Sequence, residues 1–127
     1  MRPIQARVSL SALRHNYAVA RRTAAHSRVF AVVKANAYGH GLERTVKALG
    51  EADGFATLEL DGALALRERH TDKPILLLEG FFEPAELHAI AGAGLSTAVH
   101  CEEQLRMLEL ETPSERLDVW LKINTGI

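Results

Sequence analysis

In the stretch VFAVVKANAYGHG, residues 29–41, five apolar residues run straight into Lys34. A lysine amine drawn partly out of water loses some of its preference for charge. A neutral amine can attack a carbonyl and form a Schiff base. The plain alternative is a strand-end lysine whose ammonium stays in water. The residues that follow add weight to the chemical reading. NAYGHG is too rich in glycine for a regular helix, and Gly39 and Gly41 allow positive φ or a close backbone approach to a ligand. Tyr38 offers a hydroxyl on an aromatic body. A loop leading into a helix N-terminus suits a phosphate. An amine for an aldehyde and donors for a phosphate would together suit pyridoxal phosphate. Spacing alone leaves this one option among others.

The other reactive side chains form weaker patterns. None of the six histidines has a metal-ligand spacing such as H-E-x-x-H, so no metal site is expected. His40 lies in the loop and suits cofactor approach or solvent equally. His100 and Cys101 resemble a thiol–imidazole pair, but neighbours on a strand face opposite sides and a helix is expected to start at Cys101. A buried structural cysteine is the expectation there. Cys101 is the only cysteine, which excludes an intramolecular disulfide and suits a reducing cytoplasm. Trp120 is expected to pack on a strand face.

Hydrophobic periodicity gives the elements that must position these groups. After a short extended piece, Ser11 is a plausible N-cap for a helix running to about Ala25, with Leu13, Tyr17 and Ala20 on one face. Strands are expected near residues 29, 55, 75, 97 and 118. Helices are expected over 41–52, 59–70, 83–94 and 101–111, with Pro84 in a first turn. Apolar strands alternating with helices imply a parallel sheet covered by helices. Active sites of such sheets gather at the C-terminal ends of the strands, where Lys34 falls. Two architectures fit, an open doubly wound sheet or part of an eight-stranded barrel. The glycine spacing after the first strand is not G-x-G-x-x-G, which weakens a dinucleotide-binding reading.

Bulk properties narrow the class. A net charge of −1 leaves no broad footprint for nucleic acid or an anionic membrane. Arg21-Arg22 reads as a solvated helix face. With 47% apolar and 24% charged residues, the chain is an ordinary globular sequence. No apolar run approaches a membrane span, and the start MRPIQARVSL lacks a signal-peptide apolar core. A cytoplasmic protein is the expectation.

AVVKANAYGHG closely resembles the cofactor-lysine signature of the alanine racemases, and the similarity continues through EADGFAT, PILLLEGFF, VHCEEQL and VWLKINTGI. It covers essentially the whole chain and looks closest to the catabolic, proteobacterial branch. The resemblance implies an isomerase that interconverts L- and D-alanine with pyridoxal 5'-phosphate, working as a homodimer. It implies a (β/α)8 TIM barrel followed by a separate β domain. It implies that Lys34 forms the Schiff base with the cofactor and serves as one of two bases. It implies that Tyr38 hydrogen-bonds the cofactor phosphate, and it matches Lys122 to a lysine that carries a carbamate in many members. The family usually has Asp where this chain has Asn124, and Met is common in place of Ile127.

A barrel takes roughly 250 residues and eight strands. Residues 1–127 are therefore expected to form a partial N-terminal barrel domain with about five strands, the C-terminal β domain being absent. The competing class is a non-catalytic pyridoxal-phosphate carrier on a single barrel, which needs Lys34 and phosphate donors but no second base. Racemisation needs one acid–base group on each face of the α-carbon, each contributing ~10²–10⁴-fold. Residues 1–127 offer no convincing partner opposite Lys34, and the resemblance places it in the C-terminal region. The 127-residue chain, mixed with excess cofactor, is therefore expected not to interconvert L- and D-alanine faster than free pyridoxal phosphate. Turnover well above that background contradicts the two-base reading.

Overall fold

The structure is a computed structural model that describes residues 3–126. Ile127, noted above as a departure from the resembled family, lies outside them. Eleven elements alternate along the chain: α1 (Leu10–Thr23), β1 (Phe30–Val32), α2 (Lys34–Tyr38), α3 (Leu42–Ala48), β2 (Gly54–Thr57), α4 (Leu60–Arg69), β3 (Ile75–Leu77), α5 (Glu86–Gly92), β4 (Ser96–Val99), α6 (Glu102–Leu110) and β5 (Asp118–Leu121). The five strands are all parallel and lie in sequence order, β1-β2-β3-β4-β5. A doubly wound sheet reverses its order at a switch point. A monotonic order is that of a barrel wall, and it settles the choice left open by periodicity.

The register explains which residues share a face. Phe30 pairs with Gly54, Ala56 with Leu76, Leu76 with Ser96, and Ala98 with Trp120. Alternation then puts Ala31, Val33, Phe55, Ile75, Leu77 and Val99 on the opposite face. These six are buried and pack with Leu66, Leu87 and Ile90 of the covering helices. On the first face, the rings of Phe30 and Trp120 meet edge-on, with centroids 5.7 Å apart. Strands spaced about 4.8 Å apart would set β1 and β5 roughly 19 Å apart in a flat sheet. The contact therefore requires a strongly curled sheet whose two outer strands approach across the concave face.

The helices dock through specific side chains. Ser9 caps α1, its hydroxyl accepting from the Ala12 N–H at 3.2 Å. The expected cap, Ser11, lies inside the helix and contacts the Ser9 hydroxyl. Spacing could not separate two serines with the same preference; the extended backbone of Ser9 decides it. Pro84 stands before α5 rather than in its first turn, and the Glu86 carboxylate instead accepts from the Phe82 and Glu83 N–H groups. The Arg67 guanidinium donates to the carbonyls of Thr71, Lys73, Ala93 and Gly94, joining the loops that enter β3 and β4. Cys101 is exposed at the start of α6, contrary to the buried cysteine expected, because it precedes the helical turn that packs.

Arg21 is more than a solvated cation. It pairs with Asp53 at 2.7 Å and donates to the Tyr17 hydroxyl, tying α1 to the turn before β2. The Asp53 carboxylate also accepts from the Val29 N–H at 2.8 Å. That bond, followed by the Arg21 charge, holds the Asp53 carboxyl below its usual 3.8. A lowered folded-state value means that the stabilisation is present above the ordinary carboxylate range and is lost as pH falls through the folded value.

The element after β1 is left-handed. Ala35, Asn36, Ala37 and Tyr38 have φ of 50°, 53°, 54° and 54°, and Gly39 follows at 81°. The stretch that sequence marked as unfit for a regular helix is thus a helical turn of the opposite hand. Each non-glycine residue held there costs roughly 1–2 kcal/mol.

Two outcomes follow. Asp53→Asn keeps the acceptor for Val29 but removes the charge. In denaturant unfolding the parent is expected to be the more stable protein at neutral pH and to lose that advantage as the pH falls below 3.8. An advantage unchanged down to strong acid contradicts the pairing. Ala35→Gly, at an exposed position of the left-handed turn, is expected to cost nothing or to stabilise by up to about 1 kcal/mol. The control Ala20→Gly, in right-handed α1, should cost about 1 kcal/mol. Equal losses at both sites would exclude the left-handed backbone.

Candidate active-site rim

Parallel strands align their C-terminal ends at one rim of the sheet, and the expected site residues lie there. Val33 donates to the Ala56 carbonyl at 2.8 Å, the last β1 bond to β2. Its own ψ of 19° then turns the chain out of the strand. Lys34 is the next residue, half-buried at the rim. The strand is therefore shorter than the apolar run suggested, and Lys34 begins the element that follows it.

The left-handed turn brings Tyr38 back to the lysine. Lys34 Nζ stands 5.9 Å from the centroid of the Tyr38 ring, within cation–π range. Among the described residues neither Lys34 Nζ nor the Tyr38 hydroxyl has a hydrogen bond or ion pair, and Tyr38 is 60% exposed. The Lys34 amine thus stands by the ring of a tyrosine at the strand ends, and neither the amine nor the phenol hydroxyl is hydrogen-bonded among the described residues. This donor set fits a ligand that carries a carbonyl and a phosphate. His40, expected in the loop, is exposed, and its Nδ1 is 2.8 Å from the Ala37 carbonyl oxygen.

Lys122 reaches the same rim from β5. Its N–H donates to the Val99 carbonyl at 2.9 Å, extending the ladder one residue past the strand. Alternation from Trp120 places Lys122 on the concave face, the face that Phe30 and Val32 share on β1. The rim thus gathers Lys34, Tyr38 and Lys122, with Lys34 and Tyr38 in contact.

Sequence reasoning missed Gln104, which fixes the middle of the rim. It is 3% exposed. Its Oε1 accepts from the His100 N–H at 2.9 Å, and its Nε2 donates to the carbonyls of Glu79 and Phe81. The loops leaving β3 and β4 are thereby joined through one buried amide. Gly80, at φ 84°, permits this: an added Cβ would collide with the Gln104 amide and the Ala98 carbonyl. The only signal in the sequence is a glutamine in the first helical turn after a strand, which is too common to single out. Among the described residues no group of three or more His, Cys, Asp or Glu could hold a metal ion.

The sequence pattern of the family described as alanine racemase, N-terminal domain, matches residues 8–127. The chain is 56% identical to an alanine racemase of Ralstonia nicotianae, over 99% of the chain and 34% of that protein. It is 53% identical to one of Nitrosomonas europaea, over 99% of the chain and 35% of that protein. Its structure superposes on the biosynthetic alanine racemase of Pseudomonas aeruginosa with a TM-score of 0.93 at 45% identity, covering 100% of the chain and 36% of that structure. That likeness lends nothing to the catabolic branch. The chain spans about a third of the length of the relatives it matches. With the signature lysine at the rim and the strands in barrel order, these likenesses converge on one conclusion: the chain belongs to the alanine racemase N-terminal domain family.

Proposed function

We propose that this chain is the cofactor-lysine part of a pyridoxal-phosphate-dependent racemase that interconverts L- and D-alanine. The observation that carries the reading is the Lys34 amine beside the Tyr38 ring at the C-terminal ends of parallel strands, with neither the amine nor the Tyr38 hydroxyl hydrogen-bonded among the described residues. Barrel enzymes place their chemistry at that rim. When bound, pyridoxal phosphate supplies an electron sink that acidifies the Cα–H of an amino acid joined to it.

The chain's own residues have three roles in this reading. Lys34 holds the cofactor covalently through its amine and, once free, moves a proton on one face of the α-carbon. Tyr38 donates its hydroxyl to the phosphate, so the strand end fixes one end of the cofactor and the turn fixes the other. Lys122 is the candidate for a carbamate, which turns a cation on the concave face into an anion. An anion there needs a cationic partner, because a buried unpaired charge is costly. The opposing acid–base group, the homodimer and the cytoplasmic setting belong to the same proposal and rest on the likeness to the family. Among the described residues no helix is long and apolar enough to cross a membrane.

Reduction with borohydride in the presence of pyridoxal phosphate is expected to leave a stable label on Lys34. A label on Lys47, Lys73 or Lys122 instead overturns the assignment. In the full-length protein, Lys34→Ala is expected to lower racemisation by at least ~10²–10⁴-fold, the range for losing one acid–base group. A full-length protein that takes the label on Lys34 yet does not racemise alanine would be a cofactor carrier.

A further inference from the structure

The left-handed turn between Lys34 and Tyr38 has a clasp at each side. The Asn36 Oδ1 accepts from the N–H of Leu42, the first residue of α3, at 2.7 Å, and the Asn36 carbonyl accepts from the Gly41 N–H at 3.0 Å. The Ala37 carbonyl accepts from the His40 N–H at 3.0 Å and pairs with His40 Nδ1 at 2.8 Å. Ala37 is 4% exposed and donates its own N–H to the Val33 carbonyl at 2.9 Å, so the turn is anchored to the strand end. Neither Asn36 nor His40 contacts Lys34 or Tyr38 through its side chain among the described hydrogen bonds.

The hand of this turn decides where Tyr38 points. At about 100° per residue, a position four residues on lies about 40° past the start in one hand and about 40° short of it in the other. A turn that relaxed to the right-handed form would swing Tyr38 through roughly 80° about the turn axis relative to Lys34. Alanine does not favour the left-handed form, and asparagine tolerates it because its short side chain can bond locally. Something outside the backbone preference has to hold the hand, and the two polar side chains bonded into the turn are placed to do so.

We infer that Asn36 and His40 are positioning residues: they hold the turn left-handed, so that the Lys34 amine and the Tyr38 hydroxyl converge on one pyridoxal phosphate. This rests on the reading of Lys34 and Tyr38 as the cofactor groups. Asn36 ties the turn forward to α3, and the His40 ring ties it to the Ala37 carbonyl.

The test uses the full-length protein, freed of cofactor and titrated with pyridoxal 5'-phosphate. Three quantities are read: cofactor affinity, the rate of borohydride-trapped labelling at Lys34, and the thermal midpoint of the cofactor-free form. Asn36→Leu and His40→Leu remove the clasps. Asn36→Asp keeps the acceptor for Leu42, and His40→Asn puts an amide donor near the position of Nδ1. Both leucine variants are expected to lose at least tenfold in affinity and in labelling rate, and the conservative variants to stay within about threefold of the parent. The cofactor-free midpoints of the leucine variants should fall no further than those of their conservative partners. Leucine variants that bind and label like the parent overturn the inference while leaving Lys34 as the cofactor lysine. So do leucine and conservative variants that fail alike, with midpoints falling in step, since that is the mark of a purely structural role. A parent protein that takes no label at Lys34 overturns the underlying reading and the inference with it.

Discussion

The curl of the sheet is the constraint on which the rest depends. Phe30 lies over Gly54, its partner in register, and an added Cβ there would stand 2.5 Å from the phenyl ring and 2.7 Å from the Pro74 carbonyl. Only glycine leaves that space. The ring can then lean across the concave face to Trp120, which brings the two outer strands into reach. A flat sheet would spread the strand ends along a line. The curled sheet turns them inward, so side chains from β1 and β5 address a common volume.

Two kinds of order meet at that rim, and they have different energetics. Behind the sheet, Phe55, Ile75, Leu77, Leu66, Leu87 and Ile90 are essentially out of water. Burying each such side chain contributes roughly 1.5–3 kcal/mol. At the rim the chain carries an unfavourable term instead: four successive non-glycine residues in the left-handed region. Strain of this kind persists where the surrounding structure over-determines it, and such places are commonly functional. The buried Ala37 and the bond from its N–H to Val33 connect the strained turn to the stable core.

Polar side chains shape the rim more than apolar ones do. Gln104 joins the loops after β3 and β4, Asn36 joins the turn to α3, and Glu86 holds the start of α5. Each satisfies backbone groups that leave regular structure at a strand end, where unpaired N–H and C=O groups are costly to bury. At the opposite end of the strands, Arg67 and the Asp53–Arg21 pair do the same for the entering loops. The strands themselves are three or four residues long, so much of the backbone between them relies on these side-chain bonds.

The sequence by itself determined most of the elements and singled out one candidate chemical group, Lys34. Strand positions near 29, 55, 75, 97 and 118 follow from apolar runs, most plainly for β2 and β3, which are buried on both faces and cannot hide their composition. Lys34 stood out as a candidate because the residues after it form a specific signature; a lysine ending an apolar run has by itself the plain reading of a solvated ammonium. The strand order, the curl, the left-handed turn and the Gln104 bridge were decided only by tertiary structure. Each depends on groups distant in the chain or on a choice between conformations of similar local preference. Nothing local makes Phe30 meet Trp120, ninety residues on in the chain. Local preference also points away from a left-handed Ala-Asn-Ala-Tyr, and it is overruled by a buried alanine, one amide and one imidazole. Ser9 and Ser11 illustrate the limit at its smallest: two identical hydroxyls, separated only by which backbone is extended when the helix docks.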